Sequence, residues 1–241
     1  MVTKAEINLI RSLNKKRERD ETGLFVVEGE KMVDELITAG WEIKLLLKRD
    51  EIGEEMMSRI SHLSSPSPVL AVVKKPLSHR VIHPLKKGLY LALEAIKDPG
   101  NMGTIIRIAD WFKIDTIFCS EDCVDIYNSK VVQSSMGSLF RTKLEYTSLE
   151  RLVIENKGSI DIFGTCLEGD NIYSSSLPDS AIIIMGSESF GISDSLSSLI
   201  NKRLTIPAFN KEGAESLNVA VATAIVCSEF RRSFASGFQK G

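Results

Sequence analysis

The feature that most constrains the fold is a set of short apolar runs in which hydrophobic and polar residues do not alternate. The clearest is the run from Ala181 to Met185, which contains three successive isoleucines. A strand that is hydrophobic at consecutive positions is covered on both faces, which is typical of parallel sheets flanked by helices. Strand and helix patterns alternate from Leu89 onward, so we predict an α/β domain built on a parallel sheet.

This second part of the chain carries six predicted strands and five predicted helices. The strands cover residues 89–96, 116–119, 143–146, 161–166, 181–185 and 203–207. The helices cover residues 104–112, 127–138, 149–156, 193–200 and 217–233.

The first part of the chain alternates in the same way and predicts a small α/β unit. Its predicted helices cover residues 4–17, 30–39 and 53–62, and its predicted strands cover residues 24–27, 43–48 and 69–74. The stretch from Pro76 to Pro84 lacks clean periodicity. We therefore predict one domain over residues 1–76, a linker over residues 77–88 and a second domain over residues 89–241.

Polar loops follow three of the predicted strands, at residues 97–103, 186–191 and 208–215. The carboxyl ends of parallel strands lie at one edge of a sheet, so these loops are expected to share one crevice. Arg107 lies in the helix after the first loop. After the third loop, we expect Ser216 at a helix-capping position and Asn218 in the first turn, where free N–H groups suit a small polar ligand.

Four motifs along the chain resemble, in order and spacing, those of the SpoU (TrmH-like) RNA ribose 2′-O-methyltransferases. They comprise Asn101, Gly103 and Arg107; Ser135, Met136, Gly137, Phe140 and Arg141; Met185 to Gly191; and Ile206 and Pro207 with Ser216 to Val219. The segment from Gly23 to Gly29 resembles the start of a small substrate-binding domain that often precedes them. The resemblance therefore covers nearly the whole chain.

The resemblance implies an architecture that periodicity alone does not, because sequence patterns favour an ordinary doubly wound sheet and true knots are rare. It implies a C-terminal domain with the deep trefoil knot of the SPOUT superfamily. It also implies an N-terminal α/β domain like ribosomal protein L30e that binds RNA, and a homodimer with the long final helix at the interface.

The activity implied is methylation of a ribose 2′-hydroxyl in structured RNA, rRNA or tRNA, with S-adenosylmethionine as the donor. The resemblance assigns donor binding to Thr165, Gly186, Ile206 and Leu217. For Ile206 and Leu217, a place in the hydrophobic core is the alternative.

Catalysis is assigned to Arg107, surrounded by four further polar residues, Asn101, Glu188, Ser216 and Asn218. A guanidinium stays protonated near neutral pH and is a poor base, so we expect Arg107 to hold the neighbouring phosphate and stabilise the developing alkoxide. A surface or ion-paired arginine is the alternative for Arg107. Asn101 has the alternative of capping the helix that begins near Thr104.

A net charge of −2 and a pI near 6.0 do not indicate nucleic-acid binding, so basic clusters must supply it. The predicted RNA contacts are Arg11, Lys15, Lys16 and Arg17 in the first helical stretch, together with Arg141. Because Glu18, Asp20 and Glu21 are interleaved with these cations, a solvated helix face is the alternative.

Other features limit the cofactors and the compartment. The four cysteines, Cys119, Cys123, Cys166 and Cys227, lack zinc-ligand spacing, so we expect no metal and buried thiols in a reducing compartment. No apolar run approaches the roughly 20 residues of a membrane span, and the first residues lack a signal-peptide pattern. We therefore expect a cytoplasmic protein without a membrane partner.

Two common enzyme classes are excluded by their motifs. Gly100 to Gly103 has the wrong spacing for a dinucleotide-binding loop, and Glu188 stands where a serine hydrolase needs its nucleophile. Two alternatives stay open. One is a non-catalytic RNA-binding or ribosome-associated protein that kept the fold, and the other is a knotted enzyme that methylates a base.

Overall fold

The computed structural model describes residues 2–76, 84–187, 189–210 and 212–235. The chain divides into two compact units. Unit 1 comprises residues 1–78 and 125–141, and unit 2 comprises residues 79–124 and 142–241. Much of the predicted linker, residues 77–83, lies outside the described residues, and the predicted domain boundaries stay a prediction.

Unit 1 is built on a three-stranded antiparallel sheet in the order β1-β3-β2. Its strands are β1 (Leu24–Glu28), β2 (Ile43–Lys48) and β3 (Val69–Lys74). The helices before residue 77 are α1 (Lys4–Ser12), α2 (Lys16–Thr22), α3 (Glu30–Thr38), α4 (Arg49–Ile52) and α5 (Glu54–Ile60). The three predicted strands are confirmed.

The predicted helix over residues 4–17 is wrong, because this stretch forms α1 and α2 with a break between them. Thr3 and Glu6 cap α1 reciprocally in a capping box. The backbone of Lys15 is extended, and a second helix starts after it. α2 buries the side chain of Arg19. Arginine is seldom buried, so local helix propensity alone does not predict where this stretch breaks into two helices.

Residues 125–141 belong to unit 1, although they lie within the predicted second domain. They contain α7 (Ser129–Ser135), which is shorter than the predicted helix. Tyr127 packs on Phe25 with ring centroids 4.7 Å apart, and Phe140 packs edge-on against Trp41 at 5.3 Å. The indole nitrogen of Trp41 also donates to the carbonyl of Phe140 at 3.2 Å.

A buried ion pair holds the start of the same segment. Nη2 and Nε of Arg19 donate to Oδ2 of Asp125 at 2.6 and 2.9 Å. Nη1 of Arg19 donates to the carbonyls of Leu13 and Asn14, both at 2.9 Å. The Arg19 and Asp125 side chains are only 3% and 9% exposed, so removal of either one would leave the other buried without its partner.

Unit 2 is built on a six-stranded parallel sheet in the order β6-β5-β4-β8-β7-β9, which confirms the predicted parallel α/β fold. Its strands are β4 (Leu89–Leu93), β5 (Thr116–Cys119), β6 (Leu144–Tyr146), β7 (Asp161–Asn171), β8 (Ala181–Met185) and β9 (Lys202–Thr205). Its helices are α6 (Pro99–Trp111), α8 (Leu149–Asn156), α9 (Asp194–Ser197) and α10 (Val219–Ala235).

The core of unit 2 lies along the central strands. Every residue of β4 and β8 is buried, as their unbroken apolar runs predict. Phe163 of β7 packs edge-on against Phe230 of α10, with ring centroids 5.1 Å apart. Within the described part of the chain, no helix has the length and apolar character needed to cross a membrane.

Candidate active site

The first site element is the amino-terminal end of α6. Asp98 caps this helix, since its Oδ1 accepts from the backbone N–H of Asn101 at 2.8 Å, and Pro99 occupies the first helical position. α6 therefore begins five residues before the predicted start at Thr104. The alternative that Asn101 caps a helix near Thr104 is wrong, because Asn101 lies in the first turn.

The second element is the start of α10. Oδ1 of Asn218 accepts from the backbone N–H groups of Ala220 and Val221 at 2.9 and 3.3 Å, so Asn218 is the capping residue. The prediction that Ser216 caps this helix is wrong, and Ser216 is exposed in the segment before it. Serine and asparagine cap about equally well, so capping preference alone cannot choose between them.

The two elements meet through their asparagine side chains. Nδ2 of Asn218 donates to Oδ1 of Asn101 at 2.9 Å, although the residues are 117 positions apart. α6 and α10 also pack against each other. The capping amide of one helix thus fixes the first turn of the other.

Arg107 lies on α6, about two turns from the start of the helix. Its side chain is exposed, and it forms no ion pair or side-chain hydrogen bond with any residue that the structure describes. A guanidinium without a protein acceptor keeps its planar donor fork available for a phosphate or carboxylate. The alternative of an ion-paired arginine is thus not supported by the described residues.

The third element is the loop after β8, which we call the Gly186 loop (residues 186–192). Ser187 and Gly191 exchange two backbone hydrogen bonds of 3.0 and 2.9 Å, which close it into a tight turn. A Cβ at position 186 would lie 2.2 Å from the carbonyl carbon of Gly191, so only glycine fits there. Glu188 lies outside the described residues.

Three of the residues assigned to donor binding lie on or just after neighbouring strands, β7, β8 and β9, and the fourth, Leu217, lies just before α10. Thr165 is half-buried on β7, and its hydroxyl donates to the carbonyl of Ile184 on β8 at 3.1 Å. Ile206 follows β9 and is half-buried, and Leu217 is 48% exposed. The alternative that Ile206 and Leu217 are core residues is wrong, and Leu204 is the buried residue of this stretch.

The predicted RNA contacts all lie in unit 1. Arg11, Lys15, Lys16 and Arg17 are exposed. Lys16 pairs with Asp20 at 3.2 Å and Arg17 pairs with Glu21 at 2.6 Å. Such ion pairs are expected on a solvated helix face, the alternative to RNA binding. Arg141 is also exposed and forms an ion pair with Glu35.

The cysteines are free, and three of them are buried, which confirms the predicted environment except at Cys166, which is half-buried. A hydrogen bond with Cys119 lowers the pKa of Cys123 to about 7, while the same bond and burial raise that of Cys119. Burial raises the pKa of Cys227 to about 12. In the described ranges, no group of three or more His, Cys, Asp or Glu residues has the arrangement of a metal site.

Sequence reasoning missed two residues of this region, Asp98 and Glu94. Asp98 was recognisable from the Asp-Pro pair, because aspartate before a proline at the first helical position is a common helix start. Glu94 directly follows β4 and accepts from the backbone N–H of Ser193 at 2.9 Å. No local pattern predicts that contact, since the two residues are 99 positions apart.

The described part of the candidate site thus consists of polar loops at the strand ends of a parallel sheet, an exposed arginine and two hydrogen-bonded asparagines. The model of the SpoU rRNA Methylase family matches residues 88–228, and that of the MRM3-like substrate binding domain matches residues 4–78. The chain therefore belongs to the SpoU rRNA methylase family, within the SPOUT superfamily.

Relatives and solved structures match almost the whole chain. The 23S rRNA (guanosine(2553)-2′-O)-methyltransferase RlmP of Bacillus subtilis is 30% identical over 239 residues, covering 92% of this chain and 94% of RlmP. An AdoMet-bound rRNA methyltransferase from Sinorhizobium meliloti has a TM-score of 0.86 at 29% identity, covering 97% of this chain and 96% of that one. A protein from Porphyromonas gingivalis described as a TrmH-family RNA methyltransferase has a TM-score of 0.85 at 34% identity, covering 97% of this chain and 99% of that one.

Proposed function

We propose that this protein transfers a methyl group from S-adenosylmethionine to a ribose 2′-hydroxyl of ribosomal RNA. The observation that carries the proposal is the hydrogen bond between Asn218 and Asn101, which joins the first and last motifs at two helix starts. Family membership over residues 88–228 and the names of the relatives support it. The AdoMet-bound structure from S. meliloti supports the choice of donor.

The residues present fit this donor. Leu217 and Ile206 leave apolar surface uncovered, as an adenine ring requires, and the close backbone at Gly186 provides main-chain groups for a polar edge. We assign donor binding to Thr165, Gly186, Ile206 and Leu217. When bound, the sulfonium group of the donor supplies an electrophilic methyl group.

Arg107 is the residue we assign to the acceptor RNA. Its guanidinium, which has no acceptor among the residues that the structure describes, binds the phosphate next to the target ribose and stabilises the negative charge that develops on the 2′-oxygen. The hydroxyl proton leaves to solvent or to that phosphate, because a guanidinium does not accept it near neutral pH. Asn101 and Asn218 hold the first turn of α6 in place, and Ser216 and Glu188 join the site by family resemblance.

Unit 1 is proposed to hold the RNA. The match of residues 4–78 to a substrate binding domain supports this role, as does the L30e-like arrangement implied by the resemblance. Arg11 and Lys15 are better candidates for phosphate contacts than Lys16 and Arg17, since the latter two already have acidic partners. Arg141 is a weaker candidate for the same reason.

Three further properties are proposed from the family. We infer a trefoil knot in the segment that leads into α10, and a homodimer in the cytoplasm. The dimer is supported by two exposed apolar side chains on the packed helices α6 and α10. Trp111 is 84% exposed and Val221 is 50% exposed. Light scattering of the protein in solution tests the dimer, which a monomeric mass would exclude.

Two measurements test the proposed activity. Calorimetry with S-adenosylmethionine should show binding, whereas a non-catalytic RNA-binding protein would not respond to the donor. Incubation with labelled donor and unmodified ribosomal RNA should then label the RNA, and mass spectrometry of the nucleosides should place the methyl group on a ribose. A methyl group on a base would support the base-methylating alternative, and no label would refute the proposal.

A further inference from the structure

Glu94 contacts the two residues that flank the Gly186 loop. Its backbone N–H donates to the carbonyl of Met185, the last residue of β8, at 2.9 Å. Its carboxylate Oε2 accepts from the backbone N–H of Ser193, the residue that follows the loop, at 2.9 Å. One residue therefore fixes the point where the chain leaves β8 and the point where it enters α9.

The internal shape of the loop does not depend on Glu94. The two Ser187–Gly191 hydrogen bonds close the turn, and the hydroxyl of Ser187 accepts from the N–H of Phe190 at 3.2 Å. Glu94 takes part in none of these hydrogen bonds. The contacts of Glu94 therefore set the position of the loop against β4, rather than its fold.

The position of the loop matters because Glu94 connects two parts of the proposed site, the Gly186 loop and the chain segment that leads into α6. Gly186, assigned to the donor, is the first residue of the loop. Toward the carboxyl side, the chain runs from Glu94 to Asn101 on α6, and the intervening N–H of Ala95 is held by the hydroxyl of Ser120 at 2.9 Å. Glu94 thus couples the loop to the strand end that leads into the helix carrying Arg107.

We propose that Glu94 is a positioning residue for donor binding, acting through the N–H of Ser193. This inference rests on the proposed function, since it assumes that the Gly186 loop contacts S-adenosylmethionine. In this role the carboxylate acts through the backbone of the loop and not on the donor or the RNA. It holds the exit of the loop so that the backbone at Gly186 keeps its place.

The test compares three variants of the full chain. Glu94→Ala removes the acceptor, and Glu94→Gln replaces the carboxylate with an amide oxygen that still accepts from Ser193. Glu121→Ala is the matched control, because Glu121 is an exposed carboxylate lining the same cleft as Glu94 at the strand ends. Donor affinity is measured by calorimetry, RNA KM by steady-state methylation, and the loop by hydrogen exchange of peptides covering residues 186–193.

We expect Glu94→Ala to weaken donor binding by about tenfold, the value of one hydrogen bond to a charged acceptor. Exchange in the loop should accelerate, while the KM for RNA stays at its native value. Glu94→Gln should recover most of the donor affinity, and Glu121→Ala should behave like the native protein. Recovery by glutamine separates loss of the acceptor from a general effect of removing charge.

Native donor affinity in Glu94→Ala, or an equal loss in Glu121→Ala, would overturn the inference. If the native protein itself binds no S-adenosylmethionine, the proposed function fails. In that case, hydrogen exchange still tests whether Glu94 holds the loop. An unchanged exchange rate in Glu94→Ala would show that it does not.

Discussion

Asp125→Ala should destabilise unit 1 strongly, because Arg19 would keep a buried positive charge without its carboxylate. Removing one partner of a buried ion pair typically costs about 3 to 5 kcal/mol. In this variant the carbonyls of Leu13 and Asn14 still accept from Arg19, so we expect a cost at the lower end of this range. The backbone N–H of Tyr127 also loses its acceptor, Oδ1 of Asp125 at 3.0 Å. We therefore expect a loss of about 3 kcal/mol.

The assay is native-state hydrogen exchange of β1, supported by urea unfolding. A loss of about 3 kcal/mol raises the exchange rate of the protected β1 amides by more than about 100-fold, if they exchange through opening of unit 1. Glu21→Ala is the control, since its pair with Arg17 is exposed and is worth less than about 1 kcal/mol. Replacing both partners, Arg19→Met with Asp125→Leu, should recover most of the stability. A loss below about 1 kcal/mol in Asp125→Ala would refute the reasoning.

Three other predictions concern the site and the pH response. Arg107→Ala should lower the single-turnover rate of methylation by about 10²-fold with donor affinity unchanged, and native activity in this variant would exclude a role in catalysis. Asn218→Asp keeps the capping oxygen but loses the donor to Asn101, so activity should fall while thermal stability holds; Asn218→Ala should also lose about 1 kcal/mol in urea unfolding. Burial lowers the pKa of His62 from its ordinary value of 6.5, and its Nε2 contacts the carbonyl of Ile10 at 2.8 Å. Because the folded state favours neutral His62, its stabilising contribution is full above the unfolded pKa and is lost as pH falls toward the lowered one. Urea midpoints from about pH 7 to about pH 5 should thus fall less in His62→Gln than in the native protein.

The strands were predictable because their signal is local. The unbroken apolar run of β8 and the flanking turns of β1, β2 and β3 locate these elements within a residue or two. The parallel order of the sheet also follows from runs that are buried on both faces. The start of α10 was less predictable, because Ser216 and Asn218 are equally good caps by residue type. Which of them caps depends on the contact between α6 and α10.

The assignment of residues 125–141 to unit 1 could not be predicted from local patterns. It depends on Asp125 meeting Arg19, 106 positions earlier, and on the aromatic contacts of Tyr127 and Phe140. A lone aspartate in a loop is ordinarily a surface residue, so nothing in its neighbourhood indicates burial. The same limit applies to Glu94, whose partner Ser193 is distant in sequence.

The membership of residues 125–141 in unit 1 has a consequence for fragments of this protein. A peptide cut after residue 78, where the substrate-binding family model ends, would lack the carboxylate that neutralises Arg19 and the rings that cover Phe25 and Trp41. In such a peptide, the Arg19 guanidinium would have no carboxylate partner and the aromatic faces of Phe25 and Trp41 would be open to water. Unit 1 is thus discontinuous in sequence, and the chain passes between the two units three times.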